Sequence, residues 1–419
     1  MKNFIEKLME IMALIGQNKK RVLLTAFGVF WGLLLLVLLL GFGKGLRNGV
    51  DSQFAGTGNT VYLWRNAVTQ IPYRGYAAGR WVGLEDADLA AINREVEGVG
   101  IAIGVNEVGG WSTPQYVAHG VASGSYVIQG THPQVFKMNG YAIHQGRFVN
   151  EFDAQENRKV AVLGRRVYRE LFGSDNAVGK SINIAGLRFQ VVGVFEPLST
   201  GPQSTVDSEL VLIPNSTLRL SFDQMSYVNM VRVAPKPGYH AGEVEAQVKA
   251  LLKERWNIHP DDSGVYGSYN TQAEYDRLMS LFMGIEVFSW FVAIGTVISG
   301  VVGVGNIMLI AVRERTKEIG LRRAIGATAK SIVGMVVQEA LIIVLSAGYL
   351  GLLVGINILI AVSVLAEKIA PNSGVFANPE VDFKVIVIAL LSLAIGGVLS
   401  AVYPALRATR ISPVEALQD

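Results

Sequence analysis

The chain has 419 residues, with 37 Lys and Arg against 34 Asp and Glu, for a net charge of +3. That balance argues against a nucleic-acid partner. Charged residues are 17% and apolar types 50%, where a soluble domain carries about 25% charged residues, so the apolar excess points to membrane spans and a disordered chain is excluded. With no Cys, a disulfide framework, thiolate metal site and Cys nucleophile are ruled out.

At the start, Phe4, Ile5, Leu8, Met9, Met12 and Ile15 recur at helical spacing among Lys2, Glu6, Lys7 and Glu10. This predicts an interfacial amphipathic helix over residues 1–21, with a fraying terminus as the plainer alternative. An uncharged window follows from Val22 to Gly43, and about 20 helical residues cross a hydrocarbon core of roughly 30 Å. A signal peptide would have a core of only about 7–15 residues and a small-x-small cleavage site. Here Gly-Phe-Gly-Lys-Gly-Leu-Arg follows instead, so an uncleaved anchor is expected.

Between Lys44 and Glu286 the pattern changes to short strands and turns. Strands are predicted at Val61–Trp64, Gln115–Gln129, Lys159–Leu163, Lys180–Ile184, Arg188–Phe195, Glu209–Ile213 and Met230–Val233. Helices are predicted at Leu84–Glu95, Arg165–Phe172 and Ala241–Trp256. Thr271–Met283 has helical spacing and no breaker, so a stalk helix should run on into the second span. The stretch from Gly173 to Gly179-Lys180-Ser181 imitates a phosphate-binding loop, but five residues separate its glycines where the motif needs four, and a strand follows where a helix is required. A turn suffices. Tyr62, Trp64, Tyr73, Tyr76 and Trp81 form an aromatic group that reads either as half-buried core or as a cargo or partner surface. The five His never stand three or four apart, and no nucleophile-elbow signature occurs, so no catalytic residue, metal ligand or cofactor-binding residue is assigned.

Three more uncharged windows lie at Val287–Val312, Ala340–Ala366 and Val385–Leu406. Their polar residues Asn306, Gln338, Glu339 and Asn357 suit interhelical hydrogen bonding better than a proton relay. Small residues four apart mark helix contacts at Gly295, Ser299 and Gly303 with Asn306, at Ala347, Gly351 and Gly355, and at Ser392, Gly396 and Ser400, and one of these stripes could be a dimer seam. Residues 1–21 hold five Lys and Arg, residues 313–330 hold six and residues 367–384 only two. Basic flanks stay inside, so both termini and the middle loop are expected in the cytoplasm.

The expected fold is therefore a multi-domain membrane protein, with four transmembrane α-helices and a large α+β extracytoplasmic domain inserted between helices 1 and 2. In residue numbers this means an interfacial segment 1–21, a span 22–43, the outer domain 44–283, a span 284–312, a cytoplasmic loop 313–330, a span 331–366, a short outer loop 367–384, a span 385–406 and a cytoplasmic tail 407–419.

The loop is the most informative stretch. Ile319, Leu321, Ala324 and Ile325 fall on a short helix that Gly326 can stop, and Glu318 and Arg322 are spaced for an ion pair worth roughly 0.2–0.5 kcal/mol. Gly305-Asn-Ile-Met-Leu309, Glu314-Arg315-Thr316, Glu318-Ile319-Gly320, Arg322 and Ala324-Ile325-Gly326-Ala327 resemble the MacB/FtsX-type permease subunits of ABC transporters. The C-terminal Tyr403-Pro404-Ala405, Arg407-Ala408 and Pro413-Val-Glu-Ala-Leu417 extend the likeness. So do Gly146-Arg-Phe148, Val160–Gly164, Leu171-Phe-Gly173, Val178-Gly-Lys180 and Phe189–Phe195, which look like the periplasmic core of that family.

The resemblance implies an inner-membrane permease dimer, of two like or unlike chains, for export or extraction of a substrate. Its ATP would be bound by a separate cytoplasmic ABC ATPase, because no phosphate-binding loop occurs in this sequence. The coupling segment would comprise Glu314, Arg315, Thr316, Lys317, Glu318, Ile319, Gly320, Arg322, Arg323, Ile325 and Gly326. ATP-driven closure would move the outer domain through the membrane helices, and an adaptor and outer-membrane channel are further partners the family allows. The competing expectation is a regulatory transmitter that moves no solute and activates an extracytoplasmic cell-wall hydrolase or scaffold. An ion-driven transporter is disfavoured by the lack of embedded charges.

Overall fold

A computed structural model describes residues 19–55, 59–110, 112–369 and 376–409. The interfacial helix expected at the N-terminus and the motif at 413–417 lie outside the described residues. In chain order the elements are α1 (Lys19–Gln53), β1 (Val61–Arg65), α2 (Asp86–Glu95), β2 (Val99–Val105), β3 (Gln115–His119), β4 (Ala122–Thr131), α3 (Val135–Met138), β5 (Tyr141–Gly146), α4 (Glu151–Gln155), β6 (Val160–Gly164) and α5 (Arg165–Phe172). There follow β7 (Ser181–Ile184), β8 (Leu187–Pro197), α6 (Pro202–Ser208), β9 (Leu210–Pro214), α7 (Asn215–Ser221), β10 (Met230–Pro235), α8 (Ala241–Arg255), β11 (Tyr266–Asn270), α9 (Thr271–Glu314), α10 (Thr316–Ala324), α11 (Ala329–Ile369) and α12 (Phe383–Ala408).

The chain divides into two compact units: the intervening segment 49–279, and the helices on either side of it. In the helical unit, α1, α9, α11 and α12 are each long and apolar enough to cross a membrane. At 1.5 Å per residue, the 44 residues of α9 extend for about 66 Å, roughly twice a hydrocarbon core. No break separates the predicted stalk from the second span. The helices pack through small residues, as dispersion requires where lipid supplies no hydrophobic drive. A Cβ on Gly351 of α11 would stand 2.5 Å from the Phe30 carbonyl of α1, and one on Gly396 of α12 would stand 2.5 Å from Val301 of α9. Thus two of the three small-residue stripes are used inside the unit. Gly295 and Ser299 of the third are exposed, and space around Gly295 is open. Asn306 is exposed as well. The amide of Asn357 donates to Leu353 O of its own helix at 2.7 Å rather than across to another, because an amide four residues on can satisfy itself locally.

The 49–279 unit is α+β, built on two sheets. One is antiparallel in the order β11-β1-β10-β2, with Ile92 of α2 and Val244, Val248 and Leu252 of α8 in its core. The other runs β5-β8-β6-β9-β4-β3-β7 and also pairs β7 with β8, so it closes on itself. The long β8 makes this possible, pairing with β7 over Leu187–Gln190 and with β6 over Gln190–Phe195. Strands β6 and β9 are buried at every position, which is why they read as unbroken apolar runs. Buried polar groups tie the sheets together: Arg232 of β10 donates to Gln129 Oε1 of β4 at 2.7 Å, and Gln129 donates to Glu107 Oε1 at 2.7 Å. Arg219 of α7 grips Asp86 of α2 through two bonds of 2.7 and 3.0 Å.

The single strand predicted over Gln115–Gln129 is instead the hairpin β3–β4, turned at Gly120 with φ +59°. The imitation phosphate loop is a turn: Lys180 pairs with Asp175 at 3.2 Å and Ser181 opens strand β7. Of the aromatic group, Tyr76 and Trp81 are exposed rather than core, lying under the guanidiniums of Arg80 and Arg65. Each of these two ring faces serves as a cation–π partner.

Candidate functional site

The segment from Arg313 to Lys330 folds as a short helix clamped between two long ones. Helix α9 ends as the Thr316 hydroxyl donates to Arg313 O at 2.7 Å, and α10 starts when the Ile319 N–H turns back to Arg315 O at 3.0 Å. Arg315 is therefore the joint. The far end closes in a Schellman arrangement, in which Gly326 N–H reaches Arg323 O and Ala327 N–H reaches Arg322 O, both at 3.0 Å. Gly326 holds φ +101°, a conformation that favours a residue without Cβ. Thr328 then caps α11 by accepting from Ser331 N–H at 3.3 Å.

One face of α10 is fixed to the helical unit. Ile319 is buried in the same apolar cluster as Ile332 and Val336 of α11, and Gly320 is buried beside it. Arg315 pairs with Glu339 of α11 at 3.2 Å, with the two side chains only 19% and 11% exposed. Arg323 donates to Thr409 O, just past α12, at 2.8 Å. Arg322 pairs with Glu318 at 2.8 Å and also lies against the Met335 sulfur. Four contacts, through Arg315, Ile319, Arg322 and Arg323, fix this nine-residue helix to α11 and to Thr409 just past α12.

The opposite face is exposed. Glu314, Lys317, Glu318, Leu321, Ala324 and Ile325 are exposed, and their spacing of three and four places them on one side. Leu321 is 50% and Ile325 80% exposed, which is costly for branched apolar side chains in water. The sequence-predicted residues thus separate into two groups. Arg315, Ile319, Gly320, Arg322 and Arg323 hold the helix in place, whereas Glu314, Lys317, Glu318 and Ile325 face outward. Thr316 and Gly326 shape the two ends. Leu321 and Ala324 lie outside the expected coupling set, although the three- and four-residue spacing from Lys317 and Glu318 could have placed them on the same face. Gly295, Ser299, Gly303 and Asn306 lie well before α10 in α9 and are not part of this arrangement.

The chemistry such a surface supports is docking, with an apolar tip and a charged rim. Among the described residues no group of three or more His, Asp or Glu is placed to hold a metal.

Comparison with known proteins agrees on both units. Residues 22–251 match the MacB-like periplasmic core domain and residues 290–413 the FtsX-like permease C-terminal domain. The chain is similar to the macrolide export ATP-binding/permease protein MacB of Bdellovibrio bacteriovorus, at 26% identity over 100% of this chain and 62% of that protein. It is similar to the pyoverdine export ATP-binding/permease protein PvdT of Pseudomonas entomophila, at 29% identity over 99% of this chain and 59% of that protein. The chain therefore spans about six-tenths of the length of these relatives. An uncharacterised ABC transporter permease of Methanocaldococcus jannaschii matches at 26% identity over 96% of this chain and 95% of its own length. Among solved structures, the periplasmic region of MacB from Actinobacillus actinomycetemcomitans aligns with 55% of this chain and 97% of that one, at 17% identity and a TM-score of 0.42. Four apolar helices, an α+β segment between the first and second of them, and family matches across both units lead to one conclusion: the chain belongs to the MacB/FtsX-type family of ABC transporter permeases.

Proposed function

We propose that this permease couples a cytoplasmic ABC ATPase, carried on a separate polypeptide, to movement of its outer domain for export or extraction of a substrate. The observation that carries the reading is the exposed Leu321–Ile325 ridge on a helix whose other face is locked to α11 and α12. A partner seated on that ridge would bury apolar surface at roughly 25 cal/mol per Å². It would also displace α9 and α11 rather than the loop alone, because Arg315, Ile319 and Arg323 transmit force. The continuity of α9 from Thr271 to Glu314 gives that displacement a rigid path. The cytoplasmic placement of α10 rests on the six Lys and Arg between 313 and 330.

The outer end of this path is braced locally. Tyr275 of α9 donates to Asp51 of α1 at 2.8 Å, and its ring meets Phe54 edge-on. Two permease chains would pair along the α9 face that holds Gly295, Ser299 and Asn306, the small-residue stripe left uncovered within one chain. The names of the relatives concern macrolide and pyoverdine export; for this chain the shared theme is an exported compound.

The test is to purify the tagged chain with its co-purifying ATPase in mild detergent and compare Leu321→Asp and Ile325→Asp with the unaltered protein. Both variants should lose ATPase retention by about tenfold or more, as expected for a central contact worth over about 1.4 kcal/mol. Unchanged retention and unchanged ATP hydrolysis in both would contradict the docking role.

A further inference from the structure

The outer unit contains a basic cavity that the docking role of α10 does not involve. On α5, Val167, Tyr168, Leu171 and Phe172 turn into the core of the closed sheet. Helical spacing therefore gathers Arg165, Arg166 and Arg169 on the other side. With the Ser199–Gly201 link and α6 they line a cavity of about 380 Å³. Apart from the three arginines, its lining residues are Ser, Thr and Gly, so no carboxylate shares the wall.

The three guanidiniums are not equivalent. Arg166 is engaged by Glu170 at 2.9 Å and by Glu209. Arg165 keeps Nε and Nη1 buried without a hydrogen-bond partner, and Glu196 stands 3.9 Å from Nη1, beyond bonding range. Arg169 forms no side-chain hydrogen bond or ion pair among the described residues. An ionised guanidinium is nearly always paired, so the unpaired Arg169 beside Arg165, in a wall of hydroxyls that holds no carboxylate, points to an acceptor brought by a ligand. A planar carboxylate has its acceptor sites in one plane, whereas a tetrahedral phosphate group spreads its oxygens in several directions and can accept from two guanidinium forks and from the hydroxyls around them.

We infer that this cavity binds a phosphate-type oxyanion, held chiefly by Arg165 and Arg169 with the hydroxyls of Ser199 and Ser204 in reach. The site also has a mechanical connection. Thr200 in the same wall donates its N–H to Ser52 O at 3.0 Å and shares a hydroxyl bond of 2.7 Å with Ser52 Oγ, at the C-terminal end of α1. An anion that orders the Ser199–Gly201 link therefore orders the residues that hold the end of α1. Two sources share this chemistry: a free phosphate or phosphate monoester, and the phosphodiester headgroup of a lipid.

Isothermal titration of the full chain in detergent, at constant ionic strength, separates them. The probes are inorganic phosphate and glycerophosphoglycerol, a soluble diester headgroup. At least one should bind saturably, and Arg165→Gln and Arg169→Gln should each weaken it by about tenfold. Tighter binding of inorganic phosphate assigns the free or monoester source; tighter binding of the diester assigns the headgroup. Arg169 is exposed, so its variant keeps the fold and the test stands even if Arg165→Gln misfolds. The inference fails if neither probe binds the unaltered chain, or if Arg169→Gln binds both probes as the unaltered chain does.

Discussion

At the scale of single residues, two buried groups give direct tests. His132 donates Nε2–H to Gly104 O at 2.7 Å. Burial pulls its pKa below the ordinary 6.5, with Arg232 and Arg219 pushing the same way and the Gly104 bond and Glu151 opposing. Its folded pKa is thus depressed. The stability it contributes is full above about pH 6.5 and is lost as pH falls from there through the folded value. The melting temperature of the full chain should drop on acidification below about pH 6.5, and His132→Gln, which can keep the bond to Gly104, should flatten that drop. Identical pH profiles would contradict this. The second group is the Arg315–Glu339 pair. Glu339→Ala strands a largely buried guanidinium, and denaturant titration should show a loss of about 3–5 kcal/mol. Replacing both partners, Arg315→Met with Glu339→Leu, should recover most of that loss. The role of Arg315 as joint and of Glu339 as its partner was only half legible in the sequence: Glu339 stood out as a charge at a span edge, but nothing in its spacing revealed which of six basic residues would face it.

At the scale of elements, close packing decides what can change. Gly351→Val would drive a side chain into the Phe30 carbonyl, 2.5 Å from the Cβ position, and should cost about 1–3 kcal/mol by overpacking. Gly334 in the same helix has open space, so Gly334→Ala should be neutral or stabilising by up to about 1 kcal/mol. Thermal melting of both variants in detergent checks the contrast, and equal effects would contradict this packing. The long apolar helices were readable because an uncharged run of that length matches the thickness of a hydrocarbon core and exceeds what a buried helix of a small soluble domain needs. The strand β2 was not, because Gly100 and Gly104 read as breakers. Both are close-approach positions: a Cβ on Gly100 would sit 3.0 Å from Ala234 O, and one on Gly104 would sit 2.7 Å from Leu89. Likewise β11, Tyr-Gly-Ser-Tyr-Asn, lacks the apolar alternation of a strand, and it owes its place to pairing with β1 along its whole length. The small helices α3, α4, α6 and α7 are too short to show a period.

At the scale of the whole molecule, the proposed coupling makes an outer α+β unit, a set of long helices and one protruding helix into a single force-transmitting chain. The pattern of spans, the intervening domain and the likeness to ABC permeases could all be read from residue order. The division of α10 into a holding face and an offered face could not, because Ile319 and Leu321 are both simply apolar until their neighbours are placed. If two copies meet along the uncovered α9 stripe, Ser299→Cys should form a cross-link between chains, while Ser400→Cys, buried within one chain, should not. The most direct measurement concerns Ile325. In cells carrying the single substitution Ile325→Cys, a bifunctional thiol-to-amine reagent should join this position to the ATPase, and an impermeant maleimide added from outside should leave it unlabelled. Labelling from outside, or cross-linking with no ATPase among the products, would contradict a cytoplasmic docking helix and with it the proposed coupling.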